Sequence, residues 1–193
     1  MISAARFFNP NILLLSVLMC SPGPRAGAEN TNVISTAATV KTQASPLPDA
    51  WNGVWRGQVK VSVDGETRHE VNLDLTIAKI PERTAKTWTM QYTGQPPRNY
   101  ELAPAETGRG LFILDEKNGT LIEEQLIGET LYAIFSVDNV LLTSRFELRG
   151  RELHLEIATY DHSVKRTKTN AASQAVVYPF RSIQSGILRR QKK

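Results

Sequence analysis

From Trp55 to Ile77 apolar and polar residues alternate with a period of two on either side of an Asp64-Gly65 pair, and this narrows the possible folds most. Trp55, Gly57, Val59, Val61 and Val63 share one face of the first run, and Arg56, Gln58, Lys60 and Ser62 share the other. A helix would scatter both sets around its circumference, whereas a strand keeps each on one side of a sheet. Asp-Gly tolerates the positive φ values that a two-residue hairpin turn requires. Beyond it Val71, Leu73, Leu75 and Ile77 face inward and Arg68, Glu70, Asn72, Asp74 and Thr76 outward, with His69 continuing the inward set.

The same rhythm runs to about Ser182. Trp88, Met90 and Tyr92 alternate with threonines and Gln91, and further strands are predicted at residues 99–103, 110–114, 120–127, 130–137, 140–148, 152–160 and 175–182. Asn118-Gly119, Gly128-Glu129, Asp138-Asn139 and Gly150-Arg151 punctuate them, so neighbours in sequence should pair as antiparallel hairpins. Residues 161–174 carry Lys165, Arg166 and Lys168 without an apolar stripe and read as a surface loop. The prediction is an all-β, up-and-down antiparallel barrel of about 8–10 strands, since closure removes unpaired sheet edges. A two-sheet sandwich competes, but would call for long Greek-key crossovers.

The chain ends bear on compartment and partners. Residues 1–28 pair a single early charge, Arg6, with an apolar run and the small residues Ala26-Gly27-Ala28, the pattern of a cleaved secretory signal peptide. The run is too short to span a bilayer, which needs roughly 20 apolar residues, so no transmembrane segment is expected in the mature chain. Cys20 offers the competing possibility of a lipoprotein anchor. Cleavage after Ala28 would remove Arg6, Arg25 and the sole cysteine, and so any disulfide, leaving 21 basic against 19 acidic residues, a net +2. Residues 29–50, rich in Thr, Ala, Ser and Asn, read as a disordered linker, residues 51–184 as the barrel and residues 185–193 as a basic tail. The near-neutral body argues against nucleic-acid binding. Weak contact with an anionic membrane surface is the most the tail suggests, and a monomer is expected.

No catalytic or metal-binding signature stands out. Asp161-His162-Ser163 holds the residue types of a hydrolase triad, but consecutive residues of an extended segment point apart. Asp115, Glu116, Glu123 and Glu124 flank the Lys117-Asn118-Gly119 turn and read as a solvated hairpin. The inward positions are more informative: bulky Trp88, Met90, Tyr92, Phe135 and Phe146 stand beside small or polar Gly57, Ala133, Ser144 and Thr159. Such a mixture suits an apolar cavity with a few polar anchors, or a solid interdigitated core.

Gly53-Val54-Trp55 resembles the glycine-x-tryptophan that opens the first strand of lipocalins and their calycin relatives, including fatty-acid-binding proteins and nitrobindin-like barrels. The resemblance implies that Trp55 closes one barrel end beneath an arginine from near the last strand, and Arg181 is the partner implied. No cofactor is expected, and haem held by His69, as nitrobindin-like barrels use one histidine, is the alternative that the resemblance offers. A helix after the barrel, a disulfide and a helix-turn-helix lid are missing from the pattern, so no ligand is carried over. The body is also similar to secreted bacterial proteins with an Arg-Asn-Tyr-Glu-Leu segment, here Arg98 to Leu102. The expectation is therefore a secreted or periplasmic, non-enzymatic barrel that reversibly binds an apolar or amphipathic small molecule, with cavity candidates Trp88, Met90, Tyr92, Phe135, Phe146 and His69. The alternative is a non-enzymatic interaction module with a solid core whose loops, such as residues 81–86 and 161–174, bind a protein or glycan.

Overall fold

The computed structural model describes residues 45–106, 108–163, 166–169 and 174–192. The expected signal peptide, Cys20 and the linker as far as residue 44 lie outside them. Among the described residues, twelve strands follow a short 3-10 helix, Asp49–Trp51: β1 (Gly53–Val63), β2 (Glu66–Lys79), β3 (Lys86–Tyr92), β4 (Arg98–Pro104), β5 (Leu111–Asp115), β6 (Leu121–Ile127), β7 (Thr130–Val137), β8 (Val140–Arg149), β9 (Glu152–Asp161), β10 (Arg166–Thr169), β11 (Gln174–Val177) and β12 (Phe180–Arg190).

Ten of these strands close into a barrel in the order β1-β12-β9-β8-β7-β6-β5-β4-β3-β2, every pair antiparallel. The period-two pattern is the cause, because each strand has one face to bury and closure buries all of these faces together. Trp55, Val59 and Val61 on β1, Leu73, Leu75 and Ile77 on β2, and Trp88, Met90 and Tyr92 on β3 are buried. Across β8 and β9 the same alternation buries Leu142, Ser144, Phe146, Leu148, Leu153 and Leu155.

Closure depends on two glycines. A Cβ on Gly57 would lie 2.2 Å from the Ile187 carbonyl oxygen, and one on Gly186 would lie 2.4 Å from that of Gln58. The β1 and β12 backbones therefore approach more closely than any other residue would allow.

Two expected boundaries move. β12 continues to Arg190, so residues 185–190 are barrel wall rather than tail. Its inward positions Ser182, Gln184 and Gly186 are small or polar, which hides the strand from a hydrophobicity reading. The fold also begins before Trp51: Leu47 is buried with Trp51, and the 3-10 helix seats both at one barrel end. The expected loop at residues 161–174 contains β10, which pairs with β11 as a hairpin separate from the barrel.

Candidate functional site

The strand directions make the two ends of the barrel different. The end where β1 starts is closed by the segment from Leu47 to Trp55. The Trp55 indole N–H donates to the Trp51 carbonyl at 3.1 Å, and the buried Lys86 ammonium, at the start of β3, donates to Asn52 Oδ1 at 2.6 Å, Asp49 Oδ1 at 3.2 Å and the Pro48 carbonyl at 3.3 Å. Burial lowers the Lys86 pKa, opposed by the Asp49 carboxylate. An inward lysine thus fastens the N-terminal segment across the opening.

The expected Trp55–Arg181 pair is not formed. Arg190 lies over Trp55, its Cζ 4.5 Å from the ring centroid, and the two residues are direct cross-strand partners. Arg181 stands at the opposite end, exposed and paired with Asp161 at 3.1 Å. The reason is the length of β12: running from the open end to the closed end, it carries Arg181 near its start and reaches Trp55 only nine residues later, at Arg190.

Above the closed end, Trp51 meets Trp88 with ring centroids 6.4 Å apart, and Trp88 meets Phe146 edge-on at 5.1 Å and 84°. β3 and β8 are five strands apart in the ring of ten, so the Trp88–Phe146 contact spans the barrel. At this level the interior is solid. Trp88 and Phe146 are its floor rather than the walls of a hollow.

The layer above the floor is different in character. One register row runs Phe112–Glu124 between β5 and β6, then Ala133–Ser144–Ile157–Gln184–Val61 from β7 to β1. Extending the β6–β7 register places Glu124 opposite Ala133. Glu124 and Ser144 are buried, and Glu124 Oε2 and Ser144 Oγ have no hydrogen-bond partner. Burial alone pushes the Glu124 carboxyl up to about 8, so it holds its proton at neutral pH. On the other wall the Tyr92 hydroxyl donates to Gln184 Oε1 at 3.1 Å, and burial raises it to about 12. Toward the open end, the Thr159 and Ser182 hydroxyls are 2.7 Å apart. Tyr100 stands near Arg98 there, its hydroxyl raised chiefly by burial.

Met90 and Tyr92 are buried above the floor, and Phe135 is half-buried one layer nearer the open end. His69 departs from expectation. It is opposite Val61 in register but exposed, because β3 pairs with β2 only from Leu73 onward and residues 66–70 extend along β1 alone, past a bulge. It is not part of the buried interior. Glu124, expected on a solvated hairpin, is instead an interior residue. Asp161-His162-Ser163 forms no triad: Ser163 Oγ donates straight to Asp161 at 2.6 Å while the His162 ring lies 5.3 Å from that of Tyr178. Among the described residues no group of three or more His, Cys, Asp or Glu could hold a metal ion, and no helix is long and apolar enough to cross a membrane.

No family model and no curated protein matches the chain. Solved structures that share the fold include two of interest. A protein of unknown function of the DUF3598 family from Nostoc punctiforme superposes with a TM-score of 0.56 at 13% identity over 77% of this chain and 51% of its own. This chain thus spans about half the length of that protein. The S-type phycobiliprotein lyase CPES from Guillardia theta gives 0.51 at 10% identity, over 75% of this chain and 90% of its own. At these identities the likeness establishes the fold, and a lipocalin-like calycin barrel fits it at that coarse level. The expectation of a non-enzymatic protein does not stand, since one of the barrels this chain resembles is a lyase.

Proposed function

We propose that the interior above the Trp88–Phe146 floor reversibly binds an apolar or amphipathic small molecule, and that the protein does so after export to the periplasm or the exterior. The observation that carries this reading is the pair of unpartnered buried atoms, Glu124 Oε2 and Ser144 Oγ, on either side of the small Ala133. More than about 90% of buried polar groups in folded proteins have a partner, and leaving one without costs about 1–3 kcal/mol. Two such atoms on one row, whose other polar side chain, Gln184, is already bonded to Tyr92, are what a binding site looks like before its ligand arrives. The phycobiliprotein lyase of the same fold is in keeping with a barrel that handles a small molecule.

Native mass spectrometry of the protein purified from its own host tests the reading. A retained mass that is lost on organic extraction, and reduced in Ala133→Phe protein that is still folded, is the expected result. An empty barrel whose interior also excludes every added apolar probe would overturn it. Sequencing the N-terminus of the same material checks for cleavage after Ala28.

A further inference from the structure

The lumen reading leaves open which chemical class of ligand the polar row recognises. Resting on that reading, we infer that the ligand carries a neutral hydrogen-bond acceptor, a ketone, ester or amide carbonyl, placed to receive hydrogen bonds from Glu124 and Ser144. The hydrogen-bonding inventory leads there. A protonated carboxyl has an O–H to donate, and so does a serine hydroxyl. Neither has an acceptor within the protein. Two donors on one register row, on β6 and β8 with only the Ala133 methyl between them, complement the lone pairs of a carbonyl acceptor.

The surroundings weigh against a charged head group. Glu124 faces Phe112 across β5, and the interior positions of β5 and β7 on either side of it are Phe112, Leu114, Leu131, Ala133 and Phe135, none of them titratable. Further round the wall, among the described residues, the inward titratable groups include Tyr92 and Tyr100, whose hydroxyls burial raises further, Lys86, already bound by the N-terminal segment, Arg190, stacked on Trp55 at the closed end, and Arg98 near the open end. A carboxylate ligand at this depth would meet no cation. An ammonium would have to strip the proton from Glu124 and form a buried ion pair, whose desolvation cost commonly cancels the attraction. A neutral acceptor enters without moving a proton.

Calorimetric titration with three probes of equal chain length, 2-decanone, decylamine and decanoate, decides between these classes. The ketone should bind at least tenfold more tightly than either charged probe at pH 6.5. Its affinity should fall as pH rises through about 8, where Glu124 ionises and its donor is lost. Glu124→Gln keeps a donor and cannot ionise, so it should retain ketone affinity within about threefold and abolish the pH dependence. Glu124→Leu, or Ser144→Ala in case the leucine variant is misfolded, should weaken the ketone tenfold or more. Decylamine binding most tightly and gaining affinity with pH, or ketone binding that ignores pH and both deletions, would overturn the carbonyl assignment while leaving the lumen site standing. Failure of all three probes would count against the lumen site itself, and the carbonyl assignment would fall with it.

Discussion

Arg190 holds its guanidinium over the Trp55 ring, 4.5 Å from the centroid, from the position directly opposite on the neighbouring strand. The last inward residue of the last strand thereby seals the first inward residue of the first strand. Arg190 also donates to the Ala50 carbonyl, which brings the N-terminal segment into the same joint. Trp55→Ala should destabilise the protein by roughly 3–5 kcal/mol, the range for deleting a buried aromatic. Arg190→Ala should cost about 1–2 kcal/mol, the scale of a desolvated cation-π contact. Arg181→Ala, which removes only a surface ion pair, should stay within about 1 kcal/mol. Denaturant unfolding of the three variants checks the ranking, and an Arg181 effect above that of Arg190 would contradict the joint.

Gly57 and Gly186 bear the closest backbone approach in the barrel. Alanine at either would press its methyl group against a carbonyl oxygen at 2.2 or 2.4 Å, and backbone cannot swing aside as a side chain can. Each substitution should cost about 1–3 kcal/mol, the range for overpacking. By contrast Gly65→Ala in the first hairpin meets no atom, and its cost should come from the turn's positive φ alone. Thermal unfolding with either barrel glycine replaced at no cost would show that the strands can separate there without penalty.

The strand pattern was readable where a strand's two faces differ. β2, β3 and β8 set large apolar residues against polar ones, and their inward sets follow directly from alternation. β6, Leu121-Ile122-Glu123-Glu124-Gln125-Leu126-Ile127, offers both apolar and acidic residues to each face, so nothing local says that Glu124 rather than Glu123 is buried. Only its pairing with Phe112 on β5 decides it. Arg190 was hidden similarly. Arg189-Arg190-Gln191-Lys192-Lys193 has the composition of a solvated tail, and the inward row before it is too polar to announce a strand. His69 shows the opposite limit: alternation put it on the correct face, but how far β3 extends beside β2 determines whether that face is covered.

Lys86 is the inward residue that runs most against the expectation for a barrel core. Its three acceptors all come from residues 48–52, so its removal should release that segment before it harms the barrel. Lys86→Ala is expected to cost about 1–3 kcal/mol through lost charge-assisted hydrogen bonds. It should also speed amide exchange at Trp51 and Asn52, whose N–H groups bond within the same turn, while exchange in β8 and β9 keeps pace only with the global loss. Equal acceleration everywhere would mean that the segment and the barrel open as one unit.

Glu124 should make the fold sensitive to alkali. Burial raises its carboxyl from 4.5 to about 8. Below 4.5 the folded and unfolded chains both hold the proton, and the shift costs nothing. Between 4.5 and about 8 the unfolded chain releases the proton while the folded chain retains it, so stability falls as pH rises across that window and levels off above it. The full loss from this one group is roughly 5 kcal/mol, a large fraction of a typical domain's stability. Glu124→Gln removes the titration and keeps the size, so the variant should be the more stable protein at pH 8.5 and should approach the parent near pH 4.5. Urea unfolding of the pair at half-unit steps measures the difference directly. A gap that stays constant with pH would mean that Glu124 ionises freely in the folded state, and hence that water or a cation reaches the interior row.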